Sequence, residues 1–380
     1  MTLKKWTFAL LLSILATSCI QDEELNSEAA IDGCTGADIQ LASISTSERT
    51  VILYVQRGAD LSQQEVIFTL PDGATIAPNE VKSGDNEEEN IYNFSEDNYQ
   101  RLFTVTSEDG NQKPEYTVSI VLTELPTSYH FEELVDDTND YDTFYEETAP
   151  TSSSDSRKIL QWESGNRGFA LTSMATDRTG YPTMQVSDGY IGNCVKLETK
   201  DTGSFGAMVN MYIAAGNLFI GNFDLTNALT APLQATQFGF QFFERPVRLT
   251  GYYKYKAGSV YTESGVTNSS KTDRFDIYAI LYEAAAVEDG TGMLNGANAL
   301  TSSALVAYAQ IDEADAVETD TWTAFNLPFR TVNGKSIDDD KLEAGDYKLS
   351  IVFSSSIDGG NFNGAVGSTL YIDEVELECE

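Results

Sequence analysis

The chain has 380 residues, and its 59 acidic residues against 23 lysines and arginines give a formal net charge of −36. This charge argues against nucleic acid as a partner, because phosphate binding needs clustered Lys and Arg. The only histidine is His130, and no Cys-x-x-Cys motif is present, which argues against a Ser-His-Asp triad, a Cys-His dyad or a His-rich zinc site. Any hydrolytic chemistry therefore rests on Asp, Glu, Tyr or a bound metal. Tyrosine and phenylalanine are abundant, with 19 of each, and few helical patterns follow the first segment, which favours an all-β chain.

Residues 1–18 have the pattern of a lipoprotein signal peptide. Lys4 and Lys5 precede an apolar segment, residues 6–16, that is too short to span a membrane comfortably. The residues that follow resemble a bacterial lipobox, in which Cys19 would be lipidated. Lipidation anchors a protein without a membrane-spanning helix. The alternative is an ordinary signal peptide with an incidental cysteine.

The acidic run after Cys19 resembles the surface-export signal of Bacteroidetes lipoproteins. Residues 19–36 are small and acidic, which predicts a flexible tether. We therefore expect a protein at the outer membrane that is lipid-anchored, exposed on the cell surface and attached to the membrane through its anchor only.

Three cysteines remain besides Cys19. This odd number leaves no full disulfide framework. Cys194 and Cys379 lie on predicted strands of one domain, and the sequence leaves open whether they pair.

Residues 37–124 predict a small immunoglobulin-like β-sandwich. Short segments alternate apolar and polar residues, as Val51, Leu53 and Val55 do, and turn sequences such as Pro-Asp-Gly at residues 71–73 separate them. No cluster of catalytic groups is apparent in this segment. We interpret it as a spacer, with ligand binding as the alternative.

Residues 127–380 predict a larger sandwich of the jelly-roll or carbohydrate-binding type. Residues 275–283 form a strong predicted strand, in which Ile277 lies on one face and Tyr278 on the other. The chain closes with another alternating strand over residues 370–377. No βαβ rhythm and no nucleotide-binding loop are present.

The segment 241–258 is dense in aromatic residues. On a strand, Tyr253 and Tyr255 share one face while Lys254 and Lys256 share the other. Rings beside cations can form a sugar-stacking platform, because the apolar face of a pyranose packs on a ring while Lys or Arg bonds hydroxyls or carboxylates. The alternative is that the rings fill the core of a sandwich. The predicted carbohydrate-binding residues are Tyr252, Tyr253, Tyr255, Arg245, Lys254, Trp162 and Trp322.

Glycoside hydrolysis needs two carboxylates across a cleft. Asp276 and Glu283 are seven residues apart, so they point to opposite faces of a straight strand, which argues against that pair. Asp276 or Asp273 together with Glu244 remains open, although no motif marks the combination. The alternative is that these are surface carboxylates of an acidic protein.

Five segments of the second domain together resemble one family. They are WESGN at residues 162–166, AAGNLFIGNF at 214–223, ERPVRLTGYYKYKAG at 244–258, DIYAILYE at 276–283 and SSSIDGGNFNGAVGSTLYIDEVEL at 354–377. The combination resembles the "putative carbohydrate metabolism" domain found at the C-terminus of Bacteroidetes lipoproteins. The resemblance implies a jelly-roll sandwich, similar to carbohydrate-binding modules and to some glycoside hydrolases, that follows an Ig-like domain. It also implies a setting in glycan use, without supplying a reaction.

Sandwiches of the carbohydrate-binding type often hold a structural Ca²⁺ between a carboxylate near the first strand and an Asp on the last. Glu132 and Asp373 occupy those positions here, and oxygen ligands suit this hard cation. No cofactor is otherwise expected. The glycine-rich loop at residues 354–368 either lets a ligand approach the backbone or forms tight turns.

We therefore expect a cell-surface lipoprotein that binds glycan through its C-terminal sandwich as part of carbohydrate acquisition. The alternatives are a glycoside hydrolase that uses Asp or Glu carboxylates and a structural, fimbrial-type surface-assembly protein. Binding is favoured because histidine is nearly absent and no carboxylate pair is marked. A cleft with two carboxylates would favour the enzyme, a flat aromatic face would favour binding, and unpaired edge strands would favour assembly.

Overall fold

The computed structural model describes residues 25–46, 48–56, 58–123, 125–135, 140–147, 158–332 and 334–380. Most of the regular structure in these ranges is β-strand and the helices are short, which confirms the predicted all-β class. The predicted signal peptide and Cys19 lie outside the described residues. Within the described ranges, no helix has the length and apolar character needed to cross a membrane.

The first domain contains nine strands among the described residues. They are β1 (Gly33–Thr35), β2 (Ile39–Ser45), β3 (Thr50–Gln56), β4 (Gln64–Glu65), β5 (Ile67–Thr69), β6 (Thr75–Pro78), β7 (Ile91–Tyr92), β8 (Gln100–Thr106) and β9 (Glu115–Thr123). A five-stranded sheet has the order β2-β3-β9-β8-β6, in which β3 and β9 run parallel. The two-stranded sheets β1-β5 and β4-β7 accompany it. Val51, Leu53 and Val55 are fully buried in the core of this domain, as their alternation predicts.

The predicted tether differs from the structure over residues 25–36. Strand β1 pairs with β5, and Ile31 and Cys34 are buried in the core of the first domain. The prediction rested on the acidic composition of this stretch and did not account for these two apolar side chains, which pack in the domain core. The first domain therefore begins before residue 37.

The second domain contains the remaining described strands. They are β10 (Ser128–Tyr129), β11 (Glu133–Leu134), β12 (Phe144–Glu147), β13 (Lys158–Gln161), β14 (Thr183–Val186), β15 (Cys194–Glu198), β16 (Lys200–Asp201), β17 (Ile213–Ala214), β18 (Asn217–Phe219), β19 (Gly221–Phe223), β20 (Thr236–Phe238), β21 (Phe240–Gln241), β22 (Pro246–Lys256), β23 (Tyr261–Glu263), β24 (Val266–Thr267), β25 (Asp276–Glu283), β26 (Leu294–Asn295), β27 (Leu305–Gln310), β28 (Thr319–Pro328), β29 (Arg330–Thr331), β30 (Tyr347–Ser354), β31 (Gly364–Ala365) and β32 (Thr369–Cys379).

Helices are short throughout the described ranges. The α-helices are α1 (Asn166–Ala170), α2 (Gly203–Met208), α3 (Pro232–Ala235) and α4 (Asp339–Ala344), and the 3-10 turns are Leu61–Gln63, Glu87–Glu89, Asp97–Tyr99, Arg178–Gly180, Ala284–Ala286 and Gly359–Asn361.

Two antiparallel sheets form the sandwich of the second domain. Sheet 1 has the order β14-β15-β32-β22-β28, with β10 also paired to β32. Sheet 2 has the order β18-β30-β25-β27-β29, with β21 also paired to β30. The largest apolar cluster of the protein draws on both sheets, including Leu249 and Ile372 from sheet 1 and Ile277 and Phe353 from sheet 2. This cluster is the core of the sandwich.

A third layer covers the outer face of sheet 2. Ile280 and Tyr282 point away from the sandwich core into a separate apolar cluster with Phe223 and Phe238, and the Tyr282 hydroxyl donates to the Phe238 carbonyl at 2.5 Å. The strand β25 therefore buries both faces, with Ile277 and Ile280 on opposite sides, as the alternation predicts. The outer face of sheet 1 carries no such layer of strands among the described residues.

Cys194 and Cys379 do not pair. The neighbour of Cys194, Val195, lies opposite Ile372 on β32, whereas Cys379 ends that strand. Seven residues of extended strand cover about 23 Å, which is well beyond the reach of a disulfide, about 7 Å between Cα atoms. The three described cysteines are free thiols, and burial raises the pKa of Cys194 and Cys379 to about 12.

One side chain of the first domain belongs to the core of the second. Tyr54 of β3 is fully buried in the sandwich cluster, and its ring stacks on Phe240 with centroids 5.1 Å apart. Its hydroxyl donates to Glu163 Oε1 at 3.1 Å. Burial raises the pKa of Glu163, while Arg167 and the Tyr54 hydroxyl oppose that shift. The two domains are thus joined by an aromatic stack and a buried hydrogen bond.

Substitution Tyr54→Phe tests this joint, because it removes the hydroxyl and keeps the ring. We expect the free energy of unfolding to fall by about 1–3 kcal/mol, since the buried carboxylate of Glu163 loses a donor. Urea denaturation followed by tryptophan fluorescence measures the change. Tyr116→Phe is the matched control, because Tyr116 is also buried in the first domain and its hydroxyl donates to no described residue. Equal stability of Tyr54→Phe and the unsubstituted protein would contradict this account.

Candidate functional site

The outer face of sheet 1 carries a group of five side chains that we name the aromatic patch: Tyr190, Tyr252, Lys254, Trp322 and Tyr371. Strand alternation places Tyr252 and Lys254 here, because their neighbours on β22 point into the core. Tyr371 lies directly opposite Lys254 on β32. Trp322 comes from β28, on the other side of β22. Three adjacent strands therefore contribute to one surface.

The rings of the patch contact one another closely. Tyr190 stacks on Tyr252 with centroids 3.7 Å apart and an interplanar angle of 10°, and Trp322 meets Tyr190 edge-on at 6.5 Å. Tyr190 is 46% exposed. The neighbouring Tyr190 hydroxyl raises the pKa of Tyr252. The outermost ring is therefore flat and open to solvent.

Lys254 lies between two rings of the patch. Its ammonium nitrogen is 4.5 Å from the Trp322 centroid and 4.8 Å from the Tyr371 centroid, which are cation–π distances. The same nitrogen is 3.1 Å from Asp188 Oδ2. The patch therefore combines aromatic faces with one cation and one carboxylate, which are hydrogen-bonding partners for a polar ligand.

The loop that carries Tyr190 is held by two buried or partly buried carboxylates. The backbone N–H of Ile191 donates to Asp373 Oδ2 at 3.0 Å. The backbone and side-chain N–H groups of Asn193 donate to Glu132 at 2.9 and 2.7 Å. Burial raises the pKa of Asp373 to about 6, against the opposing effect of the backbone N–H groups of Ile191, Glu374 and Tyr190. The two carboxylates place the Tyr190 ring over Tyr252.

Glu132 and Asp373 are the residues that the sequence suggests for Ca²⁺. In the structure both bind the Tyr190 loop. Across the part of the chain that the structure describes, no group of three or more His, Cys, Asp or Glu side chains is arranged to hold a metal ion. The calcium site stays a prediction.

Three of the predicted sugar-stacking rings lie in the core. Tyr253 and Tyr255 are each 2% exposed and pack on Phe275 with centroids 4.8 and 4.7 Å away. Trp162 is 1% exposed, and its indole N–H donates to Glu146 at 3.0 Å. These rings face the opposite sheet, so the core interpretation is correct for them and the platform interpretation is wrong.

Arg245 lies at the far end of β22 from the patch. Its guanidinium donates to Asp339 Oδ1 at 2.5 Å and to a backbone carbonyl. Pro246 is opposite Cys379, whereas Lys254 is opposite Tyr371. Eight residues of strand correspond to about 26 Å, so Arg245 is not a partner of the patch.

The candidate carboxylates do not form a hydrolytic pair. Gln241 lies opposite Lys348 and Asp276 opposite Ser354 on β30, and Glu244 continues away from Asp276. The separation of Glu244 from Asp276 is therefore about 20 Å or more, beyond the 5–9.5 Å of glycosidase pairs.

Asp273 accepts hydrogen bonds from the glycine-rich loop. Its Oδ2 accepts from the Ser356 and Ser368 hydroxyls, both at 2.6 Å, and from the Ala365 N–H at 2.7 Å. Burial raises its pKa, and these bonds oppose that shift. The tight-turn interpretation of residues 354–368 therefore fits the structure, with Asp273 as the anchor of the loop.

Asp276 lines a cavity of about 250 Å³ on the outer face of sheet 2. Both of its carboxylate oxygens accept from the Gln310 amide, at 3.1 and 2.9 Å. Burial raises the pKa of Asp276 to about 6. Perturbed carboxylates in concave sites are candidates for function.

The sequence identified three patch members, namely Tyr252, Lys254 and Trp322, and missed two. Tyr371 alternates with buried residues in the last predicted strand, so the pairing of β22 with β32 would have revealed it. Tyr190 lies in a loop with no periodicity. Hydrogen bonds from its loop to Asp373 and Glu132 help to bring it to the patch.

Comparisons with known proteins give consistent matches. The sequence profile of a family described as "Putative carbohydrate metabolism domain" matches residues 130–378. A crystal structure of a "putative glycoside hydrolase" from Bacteroides thetaiotaomicron is 43% identical, covers 95% of this chain and 99% of that chain, and has a TM-score of 0.79. A crystal structure with the same description from Bacteroides vulgatus is also 43% identical, covers 67% of this chain and 98% of that chain, and has a TM-score of 0.60. A comparison with curated proteins found no match.

The raised pKa of Asp276 gives a pH-dependent prediction. The folded state favours the neutral carboxyl, so the stabilising contribution is present below pH 4 and is lost as the pH rises through about 6. Asp276→Asn cannot ionise, and we expect its stability relative to the unsubstituted protein to rise by about 2 kcal/mol between pH 4 and pH 8. Urea denaturation at both pH values measures this difference. The exposed residue Asp320 provides the control Asp320→Asn, for which we expect no such change. A pH-independent difference for Asp276→Asn would contradict the prediction.

Proposed function

The chain belongs to the family of the "putative carbohydrate metabolism" domain, and on that basis we propose that it binds glycan at the aromatic patch. The observation that supports this proposal is the exposed stack of Tyr190 on Tyr252 beside Trp322 and Lys254. Exposed aromatic clusters on a soluble domain are typical of interaction sites. The apolar face of a pyranose packs on such a ring, while Lys254 and Asp188 offer a donor and an acceptor to its hydroxyls.

The shape of the patch favours an extended glycan over a buried monosaccharide. Its members come from three neighbouring strands and one loop, and the exposed ring of Tyr190 lies at the surface rather than in a pocket. The negative charge of the protein, −36 overall, opposes the approach of polyanions. We therefore infer a neutral glycan chain as the ligand.

A glycoside hydrolase is the second candidate, because two solved relatives are described by that name. Asp276 lines a cavity and has a pKa raised to about 6, which suits a general acid. Neither Asp273 nor Glu244 is placed as its partner. Hydrolysis by this chain would need a second carboxylate beside Asp276.

We also propose that the protein is lipid-anchored at Cys19 on the cell surface and takes part in carbohydrate acquisition. The lipobox-like sequence and the acidic run that follows it support this proposal.

Lipid anchoring at Cys19 predicts that Cys19→Ala is no longer acylated. Cells that express the protein and are labelled with a radioactive fatty acid should label the unsubstituted chain and fail to label Cys19→Ala. Cys34→Ala is the control and should retain the label. Equal labelling of Cys19→Ala would contradict the anchor.

Glycan binding is tested with a glycan array and a soluble chain that begins at Leu25. We expect Trp322→Ala and Tyr190→Ala each to weaken binding at least about tenfold, because truncation of a central aromatic contact removes 1–2 kcal/mol or more. Tyr212→Ala removes a partly exposed ring outside the patch and serves as the control. Circular dichroism establishes that each variant is folded. Undiminished binding by both patch variants, or no binding to any glycan by the unsubstituted chain, would contradict the proposal.

A further inference from the structure

The cavity beside Asp276 lies on the opposite side of the sandwich from the aromatic patch. The strands β25 and β30 form its floor, and α1, α2, α3 and the glycine-rich loop contribute to its walls. Its volume is about 250 Å³, whereas an apolar cavity of roughly 150 Å³ is enough to hold benzene. The space therefore fits a substituted six-membered ring. Its walls include six phenylalanines: Phe169, Phe205, Phe219, Phe223, Phe238 and Phe362.

Most polar groups that line the cavity already have partners. The hydroxyls of Thr202 and Ser354 donate to backbone carbonyls. The hydroxyl of Ser356 donates to a buried carboxylate, and the amide oxygen of Asn217 accepts from a backbone N–H. A buried sugar presents several hydroxyls, each of which needs a partner. The cavity does not offer enough of them, so its occupant is mainly apolar.

Two groups at one end of the cavity retain hydrogen-bonding capacity. Asp276 and Tyr278 are two residues apart on β25, so they share a face. Among the described residues the Asp276 carboxylate accepts from the Gln310 amide and from the Ile277 backbone N–H, whereas its two oxygens provide about four acceptor sites. The Tyr278 hydroxyl donates to no described residue, and Tyr278 lines the cavity. One end of the apolar space thus holds an acceptor beside a hydroxyl.

We propose that this cavity binds a phenol-type ligand, an aromatic ring that carries one hydroxyl. The ring would lie among the phenylalanine walls, where edge and face contacts between rings are favourable. Its hydroxyl would donate to Asp276 and accept from Tyr278. The ring of a phenol supplies the apolar surface that the cavity walls require. Its hydroxyl supplies the single hydrogen-bond donor that Asp276 can accept. This inference does not depend on glycan binding, because the two sites lie on different sheets.

Isothermal titration calorimetry with 4-methylphenol and 1,4-dimethylbenzene tests the proposal on the purified protein. The two compounds are nearly equal in size and differ by one hydroxyl. We expect 4-methylphenol to bind at least about tenfold more tightly, because its hydroxyl donates to the Asp276 carboxyl in a buried site. Equal affinity for the two compounds, or no binding of either, would overturn the proposal.

Two variants locate the binding at the cavity. Tyr278→Phe keeps the ring and removes the hydroxyl, and we expect it to reduce the preference for 4-methylphenol at least about threefold. Ala228→Leu places extra atoms in the cavity wall and should abolish binding of both compounds. Tyr308→Phe is the control, since Tyr308 packs in the same outer layer without lining the cavity. Thermal melting establishes folding, and unchanged binding by a folded Ala228→Leu variant would overturn the assignment.

Discussion

The two-residue period of β22 decides what each face of the second domain can do. The strand is hydrogen-bonded on both edges, to β32 and to β28, so its register cannot slip without loss of both ladders. Tyr253 and Tyr255 must then point to the opposite sheet, and Tyr252 and Lys254 must point outwards. The core and the aromatic patch are two consequences of one pairing.

The two sheets differ in whether a further layer of the protein covers their outer faces. Sheet 2 is covered by a third layer, and the imperfect fit of that layer leaves the cavity beside Asp276. Among the described residues no further strand layer covers the outer face of sheet 1, and the patch lies there. Asp373 lies opposite Tyr252 on β32 and is fully buried, and it accepts from the loop that brings Tyr190 to the surface. A buried acidic group therefore supports an exposed aromatic one.

The sequence was sufficient to predict the all-β class, the family and the faces of strands such as β25, because these depend on local alternation and on motifs. It was not sufficient to tell which face of β22 would be covered. That outcome depends on the order of strands in the sheet, which joins residues more than a hundred positions apart. The same limit explains why the predicted tether included Ile31, which packs in the first domain. It also explains why the sequence could not tell whether Cys194 and Cys379 form a disulfide. Tyr190 was missed because its position depends on two distant carboxylates.

The burial of Tyr54 in the neighbouring domain has a geometric consequence. Two domains joined by a free linker can rotate relative to each other, so a surface on the second domain can adopt many orientations relative to the first. Here the aromatic stack with Phe240 and the bond to Glu163 remove that freedom. The outer face of sheet 1 consequently keeps a fixed angle to the first domain.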